Sequence, residues 1–478
     1  MDIPLPREIS MHTLRYGFQS VAVLLCLISG WQAPARHVRA DVSASGPAEI
    51  LPQAPEGVSV RAAAFFTAQD QEPVRIAAHP ETGRLYVLGG GGNIYLLDPA
   101  SRTKQCVLKG AEYIEQPRGQ NLNIPLPVDA KWVNSPITLR ATLCLGLAFD
   151  REGRLYIVAN VQFPGKVYVN RVALYRTAAL SASGIPARPE LWTRFDYPYG
   201  VGGFNHGACR IAQGPDGMIY LGSGSRTDHG EAGTEPNISR LGEAPHPDVP
   251  SCPDLAGGEF TACILRFDPS KGMQTPEVYS RGNRNPFGFD WDQKGRLIDA
   301  ENGPMADHPE ELNYIRQGKH YGFPYAFGNN EKPDYADALK APHDIQFEPP
   351  IQNVGPGGLL GDHPLYSLTA HSAPGGLIFY RTGKLPGQYE NSFFLTRFGN
   401  LVNYNRIGFD VLNVRLEEKE GKLIAHTERF LDRLGRPLDV CVSRGKLYIV
   451  EYCRQTETAG PGSEGYGEGG RVLEVSGK

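Results

Sequence analysis

Apolar and polar positions alternate with a period of two along most of this chain, in short runs broken by tight turns. One pattern recurs: an alternating run, an acidic or glycine-bearing turn, then a basic residue or methionine followed by Leu/Ile-Tyr and further apolar residues. It reads IAAHPETGRLYVLG, LAFDREGRLYIVA, IAQGPDGMIYLGS, FDWDQKGRLIDAE and VCVSRGKLYIVEY, with a divergent copy in GLIFYRTGKLPGQYENSFFLT. Most copies are followed by one more alternating run: NIYLLD, NRVALYR, CILRFD, EELNYI, VLNVRLE or RVLEVS. Two strands joined by such a turn make a hairpin, and hairpins repeated without helical periodicity make a ring of blades that protects its sheet edges. Six copies predict an all-β fold, a six-bladed β-propeller with long rim loops. VSVRAAAFF, which begins at Val58, precedes the first hairpin and is placed to close the ring as the last blade's extra strand. The rim loops are expected at 226–258, 328–372 and 455–470. The competing architecture is a β-sandwich with an accessory domain.

Length and composition fit one large closed β domain. The 478 residues are 41 % hydrophobic, and 56 glycines and 39 prolines spread along the chain supply turns rather than long helices. A net charge of −4 with no basic stripe excludes nucleic acid as an expected partner.

The first 40 residues are different in kind. Arg7 and Arg15 precede an apolar run, Val21 to Gly30, followed by Val38-Arg39-Ala40. That is the layout of a signal peptide (1–40), with Asp41 as the mature start, a flexible segment over 41–57 and the propeller over 58–478. The protein is therefore expected to be exported, periplasmic or secreted. An uncleaved membrane anchor is the competing reading, and the shortness of the run argues against it. An exported chain can form disulfides, and two local pairs suggest themselves: Cys252 with Cys263, and Cys441 with Cys453. The cysteines have no zinc-ligand spacing, and no C-x-x-C-H haem motif occurs.

The stretch richest in chemistry runs from Arg281 to Pro324. It holds the turn Arg284-Asn285-Pro286, then Asn302-Gly303-Pro304, the carboxylate pair Glu310-Glu311, and Gly322-Phe323-Pro324. Turns of this kind set carbonyls and charged side chains at the rim of a β-scaffold, where ligands and hard cations bind. Their order resembles the glucose/sorbosone dehydrogenase family, soluble quinoproteins that bind pyrroloquinoline quinone (PQQ) and calcium, whose strings read G-x-R-N-P-x-G, E-x-G-P, D/E-E-x-N and N-Y-G-W-P. The same resemblance implies a six-bladed propeller.

Carried over residue by residue, the resemblance implies a set of roles. His206, in NHGACRIAQGPDG, stands where the family has its catalytic base, and a histidine has the near-neutral pKa that such a base needs. Arg284 would stabilise charge growing on the quinone oxygen, and Asn285 would hydrogen-bond the cofactor. Gly303 and Pro304 would offer backbone carbonyls to the calcium that bridges protein and PQQ, since carbonyl oxygens suit a hard cation. Glu311, with the Tyr321 carbonyl, resembles a second calcium position. Arg436 matches the first arginine of a cofactor-carboxylate motif, R-x-R-D-V, and Arg397 neighbours the family's lysine position.

Several positions depart from the pattern. Leu438 replaces the second arginine of that motif, Phe398 falls at the lysine position, and Phe287 stands where a polar residue is usual. Ser225 replaces the aspartate that ends I-G-D, and Ala141 replaces a glutamine before G-L-L-G. The function expected from the resemblance is a PQQ- and calcium-dependent sugar dehydrogenase, oxidising a sugar-like alcohol, hemiacetal or aldehyde. An external electron acceptor is needed, and a homodimer stays open. The departures keep two other readings in view: a redox-inactive propeller that binds carbohydrate or a protein partner, and a calcium-dependent lactonase.

Overall fold

The alternating runs form strands, and the acidic or glycine turns between them make them antiparallel hairpins. In the computed structural model the described residues are 50–115, 142–163, 169–181, 183–198, 206–225, 228–230, 260–304, 308–328, 339–355, 359–360, 363–364, 367–400, 407–454 and 469–478. The expected leader at 1–40, Ala141, Cys252 and most of the loops 226–258 and 455–470 lie outside them.

The strands build six blades in a ring. The first blade is Pro73–Ala78, Leu85–Gly89, Ile94–Asp98 and Thr103–Leu108. The second is Thr142–Phe149, Arg154–Phe163, Val169–Ala179 and Glu190–Pro198. The third is Ala208–Gln213, Ile219–Ser223, Cys263–Phe267 and Glu277–Arg281, and the fourth is Gly288–Trp291, Leu297–Glu301 and Glu311–Ile315. The fifth is Pro374–Tyr380, Ser392–Arg397, Asp410–Lys419 and Lys422–Leu431, edged in parallel by Gln352–Asn353. The sixth is Pro437–Ser443, Lys446–Glu451 and Arg471–Gly477, and Val58–Phe65 pairs antiparallel with its last strand. That pairing closes the ring, as the position of the run before the first hairpin predicted. Helix is confined to Gly110–Tyr113 and the 3-10 turn Gly387–Tyr389 among the described residues.

The first strand of each blade packs against the first strand of the next, all the way round the axis. Side chains are too bulky for so close an approach at some points. A Cβ on Gly288 would stand 2.1 Å from the Gly375 carbonyl, and one on Gly146 would stand 2.3 Å from the Cys209 carbonyl. Five of these six strands also slip register near their start, between Pro73/Arg75, Cys144/Gly146, Ala208/Ile211, Pro374/Leu377 and Pro437/Asp439. Bulges of this sort re-aim side chains, and here they accompany charges that meet on the axis. Arg75, fully buried, donates to the Leu145 carbonyl (2.7 Å), the Phe287 carbonyl (2.9 Å) and Asp439 Oδ1 (3.2 Å). Asp439 also accepts the Ile76 amide at 3.0 Å and lies 3.8 Å from Arg210. Buried charge is tolerated because each partner is paired and hydrogen-bonded. The cluster stitches residues of five blades together.

The expected Cys441–Cys453 disulfide is not formed. The turn of that hairpin pairs Cys441 with Tyr448, whereas Cys453 lies beyond the strand end, its carbonyl accepting the Arg436 amide. Five residues of extended chain separate Arg436 from Cys441, about 16 Å at strand rise, far more than a disulfide spans. Cys263 is also outside any disulfide, and its suggested partner Cys252 is not among the described residues.

Candidate active site

The third and fourth blades bring His206, Ser225 and Arg284-Asn285 together through their backbones. The His206 amide donates to the Ser225 carbonyl at 3.0 Å, and the Ser225 amide donates to the Arg284 carbonyl at 2.7 Å. Gly224 lies between the side chains: a Cβ there would stand 2.4 Å from His206 Cβ and 2.8 Å from Asn285 Oδ1. Glycine is therefore required for the histidine and the asparagine to flank the same point.

The His206 ring is held at one nitrogen only. Nδ1 lies 3.1 Å from the Ser225 carbonyl and 3.2 Å from Ser225 Oγ. Nε2 is shielded from solvent and has no hydrogen-bond partner, and neither has Asn285 Oδ1. Burial holds the imidazole down to about 3, with the Arg284 charge acting in the same direction, against the weaker opposing pull of the Ser225 bond and Asp228. His206 is thus neutral, with an open nitrogen, across the ordinary pH range, and in this buried setting it is a weaker base than the near-neutral value expected of the residue type. Two orphaned polar atoms in one buried place are uncommon, because each costs on the order of 1–3 kcal/mol unless a ligand completes it.

Arg284 is buried and engaged at every nitrogen. Nε donates to the Asp228 carbonyl (2.7 Å), Nη2 to Asp228 Oδ1 (2.7 Å) and Nη1 to the Asn302 carbonyl (2.9 Å). The Asn302 amide in turn donates to the Asn285 carbonyl at 3.2 Å, which ties the Asn302-Gly303-Pro304 turn to the same corner. Glu310 holds that turn from below, accepting the Gly303 amide at one oxygen and the Ala373 amide (3.1 Å) at the other. Glu310, the first of the carboxylate pair, is a buried brace between the fourth and fifth blades.

Behind the turn lies a surplus of acceptors. Glu301 faces Glu311 and Asp299 faces Asn313 across adjacent strands, so all four share one face of the fourth blade. Asp299 Oδ1, Glu301 Oε2 and Asn313 Oδ1 are buried without partners. Glu311 accepts the Gly328 amide at 2.6 Å and the Asn313 amide group at 3.1 Å. Burial pushes the Glu311 carboxyl up to about 8. It raises Glu301 and Asp299 well above the carboxylate range, and the Glu311 charge adds to both. Tyr321, whose ring is buried nearby, exchanges hydrogen bonds with the Tyr314 carbonyl and the Arg316 amide through its hydroxyl. Among the described residues no three acidic, histidine or cysteine side chains converge at metal-ligand spacing.

Beside this corner the character changes. Val74, Leu143, Leu145, Cys209 and Leu438 form one apolar cluster with Phe398 and Tyr452, and Phe287 and Ala373 pack against it. All six innermost strands or their leading residues contribute. The three positions that depart from the family's polar pattern, Phe287, Phe398 and Leu438, thus meet in this one cluster. Arg397 is turned away from it, giving Nε and Nη2 to the two Asp410 oxygens at 2.7 and 2.6 Å. Arg436 sits at the cluster's edge, with its guanidinium carbon 5.0 Å from the Phe398 ring centre and 4.7 Å from that of Phe409. Its Nη1 donates to the Gly399 carbonyl at 2.9 Å. The structure therefore gathers His206, Arg284, Asn285 and the Gly303 turn into one corner and leaves Arg397 outside it.

Residues 266–456 match the family model described as Glucose / Sorbosone dehydrogenase. The match includes Arg284, the Gly303 turn, Glu311, Arg397 and Arg436, while His206 precedes it. Over 178 residues, 34 % of this chain and 43 % of the relative, the protein is 30 % identical to an uncharacterized protein of Borreliella burgdorferi. Over 260 residues, 52 % of this chain and 49 % of the relative, it is 23 % identical to quinoprotein glucose dehydrogenase B of Acinetobacter calcoaceticus. The chain thus spans about half the length of the curated relatives it matches. Its fold resembles the PQQ-bound aldose sugar dehydrogenase of Streptomyces coelicolor (TM-score 0.50, 21 % identity, 89 % of this chain and 100 % of that one). It also resembles the apo form of the soluble aldose sugar dehydrogenase of Escherichia coli (TM-score 0.52, 17 % identity, 88 % and 100 %).

Proposed function

We propose that this propeller is a sugar dehydrogenase in which His206 Nε2 takes the proton of a sugar-like hydroxyl, hemiacetal or hydrated aldehyde. The observation that carries the reading is the open, solvent-shielded Nε2 of a neutral imidazole whose other nitrogen is fixed by Ser225. The neighbouring Asn285 Oδ1 is the second unpartnered atom and is suited to a donor on the substrate or cofactor.

PQQ is the cofactor class that the family and the named relatives suggest, and when bound it supplies the two-electron acceptor for the hydride. The fit to it differs by side. At the reacting edge the two orphaned atoms match a ligand that arrives there, and the apolar cluster suits the face of a flat ring. At the carboxylate edge Arg436 lies beside the cluster, whereas Arg75, Arg284 and Arg397 are committed to Asp439, Asp228 and Asp410. Calcium fits the donor chemistry of the fourth blade, where buried carboxylates and amide oxygens lack partners and carry raised pKa values that a hard cation would reverse. Gly303 and Pro304 would offer carbonyls to one calcium at the turn, and Glu311 with the Tyr321 carbonyl would hold a second.

His206 receives the hydroxyl proton as the carbon gives up its hydride, so the sugar loses two electrons and becomes a lactone or carbonyl. Arg284, anchored by Asp228, keeps a fixed positive potential beside the reacting edge and favours the neutral imidazole that can accept the proton. An external acceptor then removes the electrons. Export to the periplasm or the medium belongs to the same proposal, and a mature chain that begins at Asp41 would support it.

The test is to load purified protein with calcium and PQQ, remove free cofactor and add an aldose. The proposal expects quinone absorbance that travels with the protein and bleaches on mixing. A protein that retains no PQQ at micromolar concentration favours the second reading, a propeller that binds carbohydrate or a protein partner without redox chemistry. The apolar side formed by Phe287, Phe398 and Leu438 is the observation in its favour.

A further inference from the structure

We propose that Ser225 is the positioning residue of the His206 base, its carbonyl and hydroxyl together holding the imidazole as the Nδ1–H tautomer so that the lone pair stands at Nε2. The inference rests on the dehydrogenase reading for its chemical purpose, but its geometry is independent of any cofactor.

The carbonyl decides the tautomer. A carbonyl oxygen has no proton to give, so the ring nitrogen 3.1 Å from it must be the donor. The same oxygen accepts the His206 amide at 3.0 Å, and one peptide group thereby fixes both the backbone and the ring of this residue. Ser225 Oγ, 3.2 Å from Nδ1, is a second acceptor for the same hydrogen, and Ser225 itself is fully buried. The carbonyl is held by the His206 amide, and the preceding peptide is held by the bond of the Ser225 amide to the Arg284 carbonyl at 2.7 Å. Against His206 Cβ stands Gly224, with no room even for a methyl group.

Both atoms that hold Nδ1 belong to an uncharged residue, and the charged groups that act on the ring are Arg284 and Asp228. The carboxylate of Asp228 binds the Arg284 guanidinium at 2.7 Å, so the positive charge beside the ring is anchored while the ring itself leans on an uncharged partner. A neutral partner fixes direction without stabilising an imidazolium as a carboxylate would. Ser225 therefore aims the base, while burial and the Arg284 charge keep it uncharged well into the acid range. A carboxylate at position 225 would keep the aim and change the charge behaviour.

The experiment is a ¹⁵N-histidine NMR titration of the full chain without cofactor, with Ser225→Asp beside the wild type and His206→Gln to identify the signal. The wild type should show Nδ1 protonated and no His206 titration between pH 5 and 8. Ser225→Asp should bring the midpoint into that window, a shift of more than one pH unit. An Nε2–H tautomer in the wild type, a midpoint near 6.5, or an unmoved signal in Ser225→Asp would overturn the proposal. Should Ser225→Asp fail to fold, Ser225→Ala gives the second reading. It keeps the carbonyl and loses the hydroxyl, so Nδ1–H should remain the main form while a measurable Nε2–H population appears. An unchanged tautomer ratio would overturn the hydroxyl's part in the proposal. Turnover with the wrong tautomer would sink only the serine's role, and the right tautomer without turnover would sink only the dehydrogenase.

Discussion

The two sides of the axial site are built on opposite principles. On the side of the third and fourth blades, backbone hydrogen bonds lock His206, Ser225 and Arg284-Asn285 in place and leave two polar atoms open. On the side of the fifth and sixth blades, Phe398 and Leu438 close up in an apolar cluster, and the nearby Arg397 is consumed by Asp410. The first side is prepared to do chemistry on something that arrives. The second offers hydrophobic contact and, in Arg436, one cation at its edge. The contrast teaches that an open polar corner and the apolar surface beside it can diverge separately, since they are carried by different side chains.

The largest effect expected from breaking this contrast is on stability. Arg397→Ala leaves Asp410 buried with only the half-exposed Arg429 at 3.1 Å, and should cost roughly 3 kcal/mol in denaturant unfolding. PQQ binding should not change, and a loss of binding at unchanged stability would return Arg397 to the cofactor site. Next, Leu438→Arg together with Phe398→Lys puts cations into the apolar side. It should lower the melting temperature of the empty protein yet tighten PQQ about tenfold or more, since charge-assisted bonds contribute roughly 1.5–3 kcal/mol each. Unchanged affinity would mean that the ligand's carboxylates do not lie on this side.

A smaller effect should come from the fourth blade. Burial raises the folded-state pKa of Glu311 to about 8, and Glu301 and Asp299 are raised with it. The folded protein therefore holds protons that the unfolded chain has released, and stability falls as pH rises from about 4.5 towards 8. Calcium at a hundredfold excess over its Kd should restore about 2.7 kcal/mol, a few degrees in Tm, at pH 8 and clearly less at pH 5, where protons already neutralise the carboxylates. An equal shift at both pH values would place any bound calcium away from these residues.

The blades were legible because alternation and tight turns are local signals: each hairpin is written within a few neighbouring residues, and a third alternating run comes after it, though a long loop intervenes in the third and sixth blades. The corner at Arg284 and Gly303 was legible too, since its motifs lie within one stretch. What could not be read was assembled across the ring. The apolar cluster draws on positions as distant as Val74, Cys209 and Leu438, none conspicuous alone. Asp410 follows Arg397 by thirteen residues with no motif to join them, and only strand register shows that they are paired. Register also separates Cys441 from Cys453, which sequence proximity had placed together. The face shared by Asp299, Glu301, Glu311 and Asn313 had a visible trace in the i, i+2 spacing of each pair, but its burial had none.

The most direct test of the central claim is single-turnover bleaching of the PQQ- and calcium-loaded protein by excess aldose, compared between wild type and His206→Ala at matched cofactor loading. With His206 as the base, the variant should retain PQQ and bleach about 10²- to 10⁴-fold more slowly, the usual contribution of a positioned general base. Equal bleaching rates in the two proteins would contradict the account.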